Sequence, residues 1–142
     1  MAIATKRAEV TINRTADDVW ARIGDFGDLS WFPGMKVEFS DPDDRIRSVT
    51  QDGSSFCIRQ KLIELDDTRR SCRYELPEAL NLEAVAGPGM IINVLNGHLM
   101  VTPKGNSQSE VTWDLETEDF LIGGSHAQHQ NGLNSLKAEL ES

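Results

Sequence analysis

The sequence predicts an α+β fold in which a curved antiparallel sheet is wrapped around a long C-terminal helix. Two observations carry this prediction. Residues 120–142 place apolar and histidine side chains at helical spacing on one face, and residues 35–118 alternate apolar and polar side chains in short runs. Such runs, joined by turns, form an antiparallel sheet with one buried face, and that face needs a cover. The segments long enough to provide it are the final helix and the helical region near the start.

The composition is that of one globular domain, residues 1–142, with 39% hydrophobic and 26% charged residues. A net charge of −9 with scattered cations argues against nucleic acid and anionic membrane as partners. No run approaches about 18 apolar residues, so no membrane span is expected. No apolar run follows the first residues, so no signal peptide is expected either. Cys57 and Cys72 are isolated, which favours unpaired thiols in a reduced, cytoplasmic chain.

The first part of the chain is expected to hold one strand and two helices. Alternation of apolar and polar side chains predicts a strand over residues 7–13. Thr15 is a good N-cap with two aspartates behind it, so a helix is expected to begin there and to end at Gly24. Residues 25–34 are rich in aromatic side chains and are interpreted as a second, very short helix that Pro33 ends.

Six further strands are marked by alternation and by turn signals such as Asp52-Gly53. Residues 77–89 contain several prolines and glycines and are expected to be irregular. The element order is therefore β-α-α, six strands and a closing helix, with about seven strands in the sheet. The six strands are expected at residues 35–40, 45–51, 54–65, 69–76, 90–102 and 110–118.

The final helix is amphipathic, but its apolar face also carries two histidines. The residues on that face fall within roughly 80° of one another: Ile122, His126, His129, Leu133, Leu136 and Leu140. Three interpretations of the histidines are open. They are partly exposed without a role, they orient a ligand in a cavity between helix and sheet, or they bind a metal. A metal site needs a third ligand, and His98 is the only other histidine.

Several short motifs recur in a characteristic order along the chain. They are Ala16-Asp17-Asp18-Val19-Trp20, Gly24-Asp25-Phe26-Gly27, Trp31-Phe32-Pro33-Gly34, Asp52-Gly53, Leu62 with Asp66, Tyr74, Val101-Thr102-Pro103, Val111-Thr112-Trp113 and Gly132-Leu133-x-x-Leu136. With the element order they resemble the START-like (SRPBCC) superfamily of birch-pollen-allergen-like proteins, and most closely its bacterial polyketide cyclase/dehydrase-like proteins. The resemblance covers essentially the whole chain. It implies the helix-grip fold, on which ligand carriers, hormone receptors, cyclases and lipid-transfer modules are all built.

The chain departs from that family pattern in three places. Gln60-Lys61-Leu62 stands where the pattern has Glu-Arg-Leu, and Asp41-Pro42-Asp43-Asp44 replaces a glycine-containing turn. The usual tyrosine early in the sixth strand is replaced near Leu95. The change at Gln60 removes a carboxylate that could act as a general base, which counts against a copied cyclase mechanism.

The leading functional prediction is a cavity between the sheet and the C-terminal helix that binds a small, mostly hydrophobic molecule, cyclic, polyketide-like or lipid-like. Apolar and aromatic walls with a few placed polar groups are typical of such sites. Asn93 is assigned to the inner face because it shares strand parity with Leu95 and Leu99. No metal or other cofactor is expected. The predicted ligand-binding residues are Trp31, Phe56, Tyr74, Asn93, Trp113, His126, His129 and Leu133.

Two other functions are open. The first is a cyclase or dehydratase in which His126 or His129 moves protons during ring closure or loss of water. The second is an interaction module without a ligand. In that case Ile92, Val94 and Met100, if exposed, are expected to form an apolar patch on the outer face of the sheet that serves as a dimer surface. The protein is expected to be a monomer or a homodimer.

Overall fold

The computed structural model describes residues 2–41, 45–53 and 57–142. The strands and helices of this part of the chain are β1 (Ile3–Ile12), α1 (Ala16–Ile23), β2 (Met35–Asp41), β3 (Ile46–Gln51), β4 (Cys57–Asp66), β5 (Ser71–Glu75), β6 (Leu80–Asn81), α2 (Glu83–Ala86), β7 (Ile91–Ile92), β8 (Leu95–Pro103), β9 (Ser109–Glu118) and α3 (Asp119–Glu141). The predicted α+β fold with a long C-terminal helix is confirmed. Residues 42–44 of the predicted turn and residues 54–56, which include Phe56, lie outside the described residues.

Seven strands form one antiparallel sheet in the order β1-β9-β8-β5-β4-β3-β2, and β6 pairs with β7 in a separate ribbon. β1 pairs with β9 along its whole length, from Ile3 opposite Glu118 to Ile12 opposite Ser109. The first and last strands are therefore neighbours, and β1 forms an edge. Helix α3 packs against β1 and β9 and covers the inner face of the sheet. Leu133 and Leu136 of α3 are completely buried there.

Side chains of α3 satisfy the free backbone groups of the edge strand β1. His126 Nε2 donates to Arg7 O (3.0 Å), Gln130 Nε2 donates to Glu9 O (2.8 Å), and Lys137 Nζ donates to Thr11 O (2.7 Å). Residues 7, 9 and 11 alternate along the strand, so their carbonyls all point away from β9. An unpaired strand edge invites pairing with another chain, and here the helix occupies it.

Helix α1 begins and ends as the sequence predicts. Thr15 Oγ1 accepts the backbone N–H of Asp18 (3.1 Å), and the Gly24 N–H donates to Trp20 O (2.7 Å). Trp20 Nε1 donates to Asp67 Oδ1 (2.9 Å), which fixes the helix to the turn between β4 and β5.

The predicted second helix at residues 25–34 is wrong: this segment is a series of turns. Asp25 Oδ1 accepts the Gly27 N–H (2.8 Å) and Asp28 Oδ1 accepts the Ser30 N–H (2.8 Å). Aspartates that bond the backbone two residues on compete with helical hydrogen bonds and favour turns.

The predicted strand at residues 90–102 is divided into β7 and β8. The β8–β9 pairing begins at Leu95, opposite Thr117, because β9 ends one residue later where α3 begins. Backbone groups before Leu95 bond side chains instead: the Asn93 N–H donates to Glu118 Oε1 (3.0 Å), and Val94 O accepts Thr117 Oγ1–H (2.7 Å). The region expected to be irregular holds the short elements β6 and α2.

The expected outer apolar patch does not form, because Ile92 is fully buried and only Val94 and Met100 keep partial exposure. Ile92 belongs to β7, which pairs with β6, and so does not continue the parity of β8. This observation removes the residue that would have been the centre of a docking surface.

Candidate ligand-binding cavity

A cavity of about 160 Å³ lies between the inner face of the sheet and α3, and we call it the inner cavity. Its walls are mostly apolar and come from the 25–34 segment, from strands β2, β3, β4, β5, β8 and β9, and from α3. The apolar lining includes Leu29, Phe32, Met35, Val49, Trp113 and Leu115, and the polar lining includes Arg47, Gln60, Tyr74, Asn96, Ser125 and His129. This mixture of aromatic walls and a few polar atoms suits a small-molecule site.

A larger depression of about 660 Å³ lies on the opposite face of the sheet. It is more open to solvent than the inner cavity. Two of its lining residues, Arg7 and Asp114, already form a bidentate ion pair at 2.6 and 2.9 Å. The inner cavity is the better candidate site, because it is more enclosed and its polar atoms have unused hydrogen-bonding capacity.

Among the residues that the structure describes, Arg47 on β3 is the charged side chain of the inner cavity. It is 4% exposed, its Nε donates to Gln60 Oε1 (2.8 Å), and its Nη1 donates to the backbone oxygen of Phe26 (2.8 Å). The guanidinium carbon lies 4.0 Å from the Phe26 ring centroid and 5.1 Å from that of Tyr74. Burial lowers the pKa of Arg47, but arginine stays protonated in proteins. The cavity thus contains a fixed positive charge.

Sequence reasoning missed Arg47, although a signal was present. Arg47 shares strand parity with Val49, so alternation along β3 assigns both to one face. The structure confirms this placement, since both line the cavity.

Gln60 on β4 lies directly opposite Arg47 in the β3–β4 register and is 8% exposed. Its Oε1 accepts from Arg47, which fixes the orientation of the amide group. The partner of the buried arginine is therefore neutral. Within the described part of the chain, the Gln60 Nε2 has no hydrogen-bond acceptor, so its two N–H groups are available to a ligand.

Tyr74 and Trp113 form the hydrogen-bonded pair at the floor of the cavity. Trp113 Nε1 donates to Tyr74 Oη (3.0 Å), and both rings are almost completely buried. Burial raises the pKa of Tyr74 to about 12, so the phenol is protonated at neutral pH. Because the bond to Trp113 uses an oxygen lone pair, the phenolic hydrogen remains free to donate.

His129 reaches the cavity from α3. Its ring meets the Trp113 ring edge to face, with centroids 4.3 Å apart, and also contacts the edge of Phe32. His129 Nδ1 lies 2.7 Å from Ser125 O, and a carbonyl only accepts, so Nδ1 carries the hydrogen and Nε2 is the acceptor. Burial is the main cause that lowers the pKa of His129 to about 4, so the ring is neutral at pH 7.

Of the residues predicted from sequence, the structure brings Tyr74, Trp113 and His129 together around the inner cavity. His126 does not line it: its position on α3 turns it toward the β1 edge, where it donates to Arg7 O. Asn93 is exposed and lies outside β8, because that strand begins only at Leu95, two residues after Asn93. From this region Leu95 and Asn96 line the cavity, and the Asn96 side-chain amide donates to Glu116 Oε1 (2.7 Å).

Trp31 and Leu133 belong to the hydrophobic core beside the cavity rather than to its lining. Trp31 packs against Phe32 and Trp113, with ring centroids 5.8 and 5.7 Å away, and so supports two lining residues from behind. His98 lies on the outer face, where its Nε2 shares a hydrogen with Ser71 Oγ (2.8 Å). The three histidines thus have separate environments, and in residues 2–41, 45–53 and 57–142 no three potential metal ligands converge.

At the rim of the cavity, a hydrogen bond joins the sheet to the helix. Gln128 Nε2 of α3 donates to Gln51 Oε1 at the end of β3 (3.2 Å). Both side chains line the cavity, and Gln51 is exposed to solvent. A ligand that enters between β3 and α3 has to pass this pair.

A seven-stranded sheet that grips a C-terminal helix around an internal cavity defines a helix-grip protein. Residues 4–141 match the family described as polyketide cyclase/dehydrase and lipid transport, so this chain belongs to that family. No curated protein sequence matches it significantly. Within the described part of the chain, no helix is long and apolar enough to cross a membrane.

Solved structures share the fold. An uncharacterised protein from Bacillus thuringiensis is similar with a TM-score of 0.81 and 20% identity, over 98% of this chain and 100% of the other. The Zhui aromatase/cyclase from Streptomyces sp. R1128 is similar with a TM-score of 0.68 and 16% identity, over 99% of this chain and 94% of the other. Norcoclaurine synthase from Thalictrum flavum is similar with a TM-score of 0.68 and 17% identity, over 99% of this chain and 96% of the other. At these identities the likeness shows a common fold and nothing about a shared ligand.

Proposed function

We propose that this protein binds a small, mostly hydrophobic molecule in the inner cavity. The observation that supports the proposal is a partly enclosed space whose aromatic and aliphatic walls surround polar atoms with unused hydrogen-bonding capacity. A volume of about 160 Å³ is several times that of a water molecule, so the cavity has room for a small organic molecule. Two free cysteines agree with the reduced, cytoplasmic setting that forms part of this proposal.

The cavity volume narrows the size of the molecule. An apolar cavity of about 150 Å³ is known to accept benzene, so the inner cavity has room for a single ring or a short chain. A polyketide with several rings, or a long lipid chain, exceeds this volume. The size of the cavity therefore favours a one-ring ligand.

Titration with neutral one-ring compounds tests this function. Phenol, benzyl alcohol and indole are added to isotopically labelled protein, and the indole N–H signal of Trp113 and the ring signals of His129 are followed by NMR. We expect shifts centred on these two residues. A Val49→Phe variant, which fills the cavity with a larger side chain from the same strand face, should lose them. Shifts located elsewhere, or equal shifts in the filled variant, would contradict the proposal.

A cyclase or dehydratase is the second candidate, and the tautomer of His129 favours it. The neutral Nε2 is a base, and the same cavity holds the Arg47 cation and the Tyr74 hydroxyl, which can stabilise an enolate oxygen. The low pKa of His129 makes it a weak base, which favours binding over catalysis. Turnover of a β-dicarbonyl compound that disappears in His129→Gln, with binding retained, would establish the enzyme.

A further inference from the structure

The charge balance of the inner cavity is incomplete. Among the described residues that line it, Arg47 is the only charged one, and its two hydrogen-bond acceptors, the Gln60 amide oxygen and a backbone carbonyl, are both neutral. A cation that is 4% exposed loses most of its hydration, and neutral dipoles and ring faces replace only part of it. An anion beside Arg47 would therefore be bound favourably.

Hydrogen-bonding capacity shows the same imbalance. Within the described part of the chain, Arg47 Nη2, Gln60 Nε2 and the Tyr74 hydroxyl hydrogen have no acceptor, and all three belong to lining residues. The described lining contains no carboxylate. A carboxylate accepts up to about four hydrogen bonds and pairs with arginine in a two-armed geometry. It is thus the group that matches these three donors.

The apolar lining shows what the acid group is attached to. Leu29, Phe32 and Trp113 form apolar surface, and the volume admits about one ring. With a net charge of −9, the protein as a whole repels anions, so any preference for an acid has to come from the local field of Arg47.

We infer that the ligand of the inner cavity is a small organic acid, a one-ring or short branched carboxylic acid, whose carboxylate is held by Arg47, Gln60 and Tyr74. This inference rests on the proposed function and names the class of ligand. The ring or aliphatic part lies against the aromatic wall, and the acid group lies against β3 and β4.

Isothermal titration at pH 7 with benzoate and benzamide tests the inference, because the two probes have nearly the same shape and differ in charge. We expect wild type to bind benzoate at least about tenfold more tightly, as hydrogen bonds to a charged partner are worth more than neutral ones. Arg47→Met keeps an unbranched chain without the charge and should abolish the preference. Gln60→Glu retains the arginine but supplies an internal carboxylate, and should abolish it too.

Arg47→Met removes a buried group and can weaken the fold, which would also reduce binding. Gln60→Glu avoids this problem, because it adds a partner for Arg47 rather than removing one. Equal affinity of wild type for benzoate and benzamide would overturn the inference and leave the proposed function intact. Binding of neither probe, nor of the neutral compounds above, would overturn both. A preference for benzoate that survives in both variants would place the acid elsewhere and also overturn the inference.

Discussion

Gly97 lies directly opposite Tyr74 in the β5–β8 register, and the tyrosine ring occupies the space that a side chain at position 97 would need. A Cβ built on Gly97 overlaps the end of the Tyr74 ring. The ring can therefore approach the β8 backbone closely, and its hydroxyl oxygen accepts from Trp113 Nε1. A glycine within a strand often marks such a close approach, and this one shapes the floor of the inner cavity.

Gly97→Ala should lower the free energy of unfolding by about 1–3 kcal/mol, since an added methyl group forces the Tyr74 ring out of position. Urea unfolding followed by far-UV circular dichroism measures the change. Gly123→Ala is the matched control: it lies in α3 with open space around its Cβ, so it should be neutral or stabilising. In a Tyr74→Ala background the Gly97→Ala cost should largely disappear. An equal cost in both backgrounds would refute the link between the two residues.

His129 should make stability fall as the pH falls from about 6.5 toward 4. The folded protein lowers the pKa of His129 to about 4, whereas the unfolded chain has the ordinary value near 6.5. In this window the unfolded state binds the extra proton, which lowers the free energy of unfolding by up to about 1.4 kcal/mol per pH unit. Like burial, the nearby His126 and the positive charge of Arg47 lower the pKa of His129.

Urea unfolding of wild type and His129→Gln at pH 7.0 and 5.0 checks this prediction. The variant should lose less stability between the two pH values, because it lacks the titrating group. The difference between the two proteins isolates His129 from the other titrating groups, which are common to both. Identical pH dependence would show that His129 titrates normally in the fold.

The two cysteines should differ sharply in reactivity. Cys57 is exposed at the start of β4, whereas Cys72 is 6% exposed, and burial raises its pKa to about 11. Since the thiolate is the reactive form, Cys72 should be inert in the folded protein at pH 8. With Ellman's reagent we expect one equivalent of fast thiol in wild type. Cys57→Ser should show none until urea is added, and a fast thiol in that variant would contradict the prediction.

Gln130→Ala should expose the edge of β1 locally. Gln130 Oε1 accepts the Glu9 N–H (3.1 Å), and Nε2 donates to Glu9 O (2.8 Å), so the side chain replaces a neighbouring strand. Hydrogen exchange measured by NMR should become at least about tenfold faster at the Glu9 amide and stay unchanged in the β8–β9 ladder. The control is Gln128→Ala, two residues earlier in α3 and at the cavity rim, which should leave Glu9 unaffected. Equal protection of Glu9 in the Gln130 variant would show that the Gln130 side chain is not what protects this amide.

The sequence could predict those parts of the fold that local signals specify. Thr15 and Gly24 delimit α1, because capping depends on residues within one turn of the helix end. The alternation of Val111, Trp113 and Leu115 defines β9 and its buried face in the same local way. For this reason the site residues Tyr74 and Trp113 could be predicted from the sequence. Arg47 could have been predicted as well, from its parity with Val49.

Other features depended on partners distant in sequence. The break before Leu95 arises because β9 ends at Glu118, and no pattern near residue 93 reports the length of a strand more than twenty residues later. The turns at residues 25–34 differ from this case, because local bonds from Asp25 and Asp28 to the backbone two residues on compete there with helical hydrogen bonds.

The periodicities and helix caps of the sequence alone determined three features. These are a long C-terminal helix packed against a sheet, the seven strands of that sheet, and a face of α3 that carries two histidines. Only the tertiary structure decided what those histidines do. His126 and His129 are three residues apart and so differ by about 60° around the helix axis, within the width of one apolar face. The packing of α3 against β1 and β9 turns one toward a strand edge and the other toward the cavity. That rotation is fixed by contacts across more than a hundred residues of chain, which no local pattern encodes.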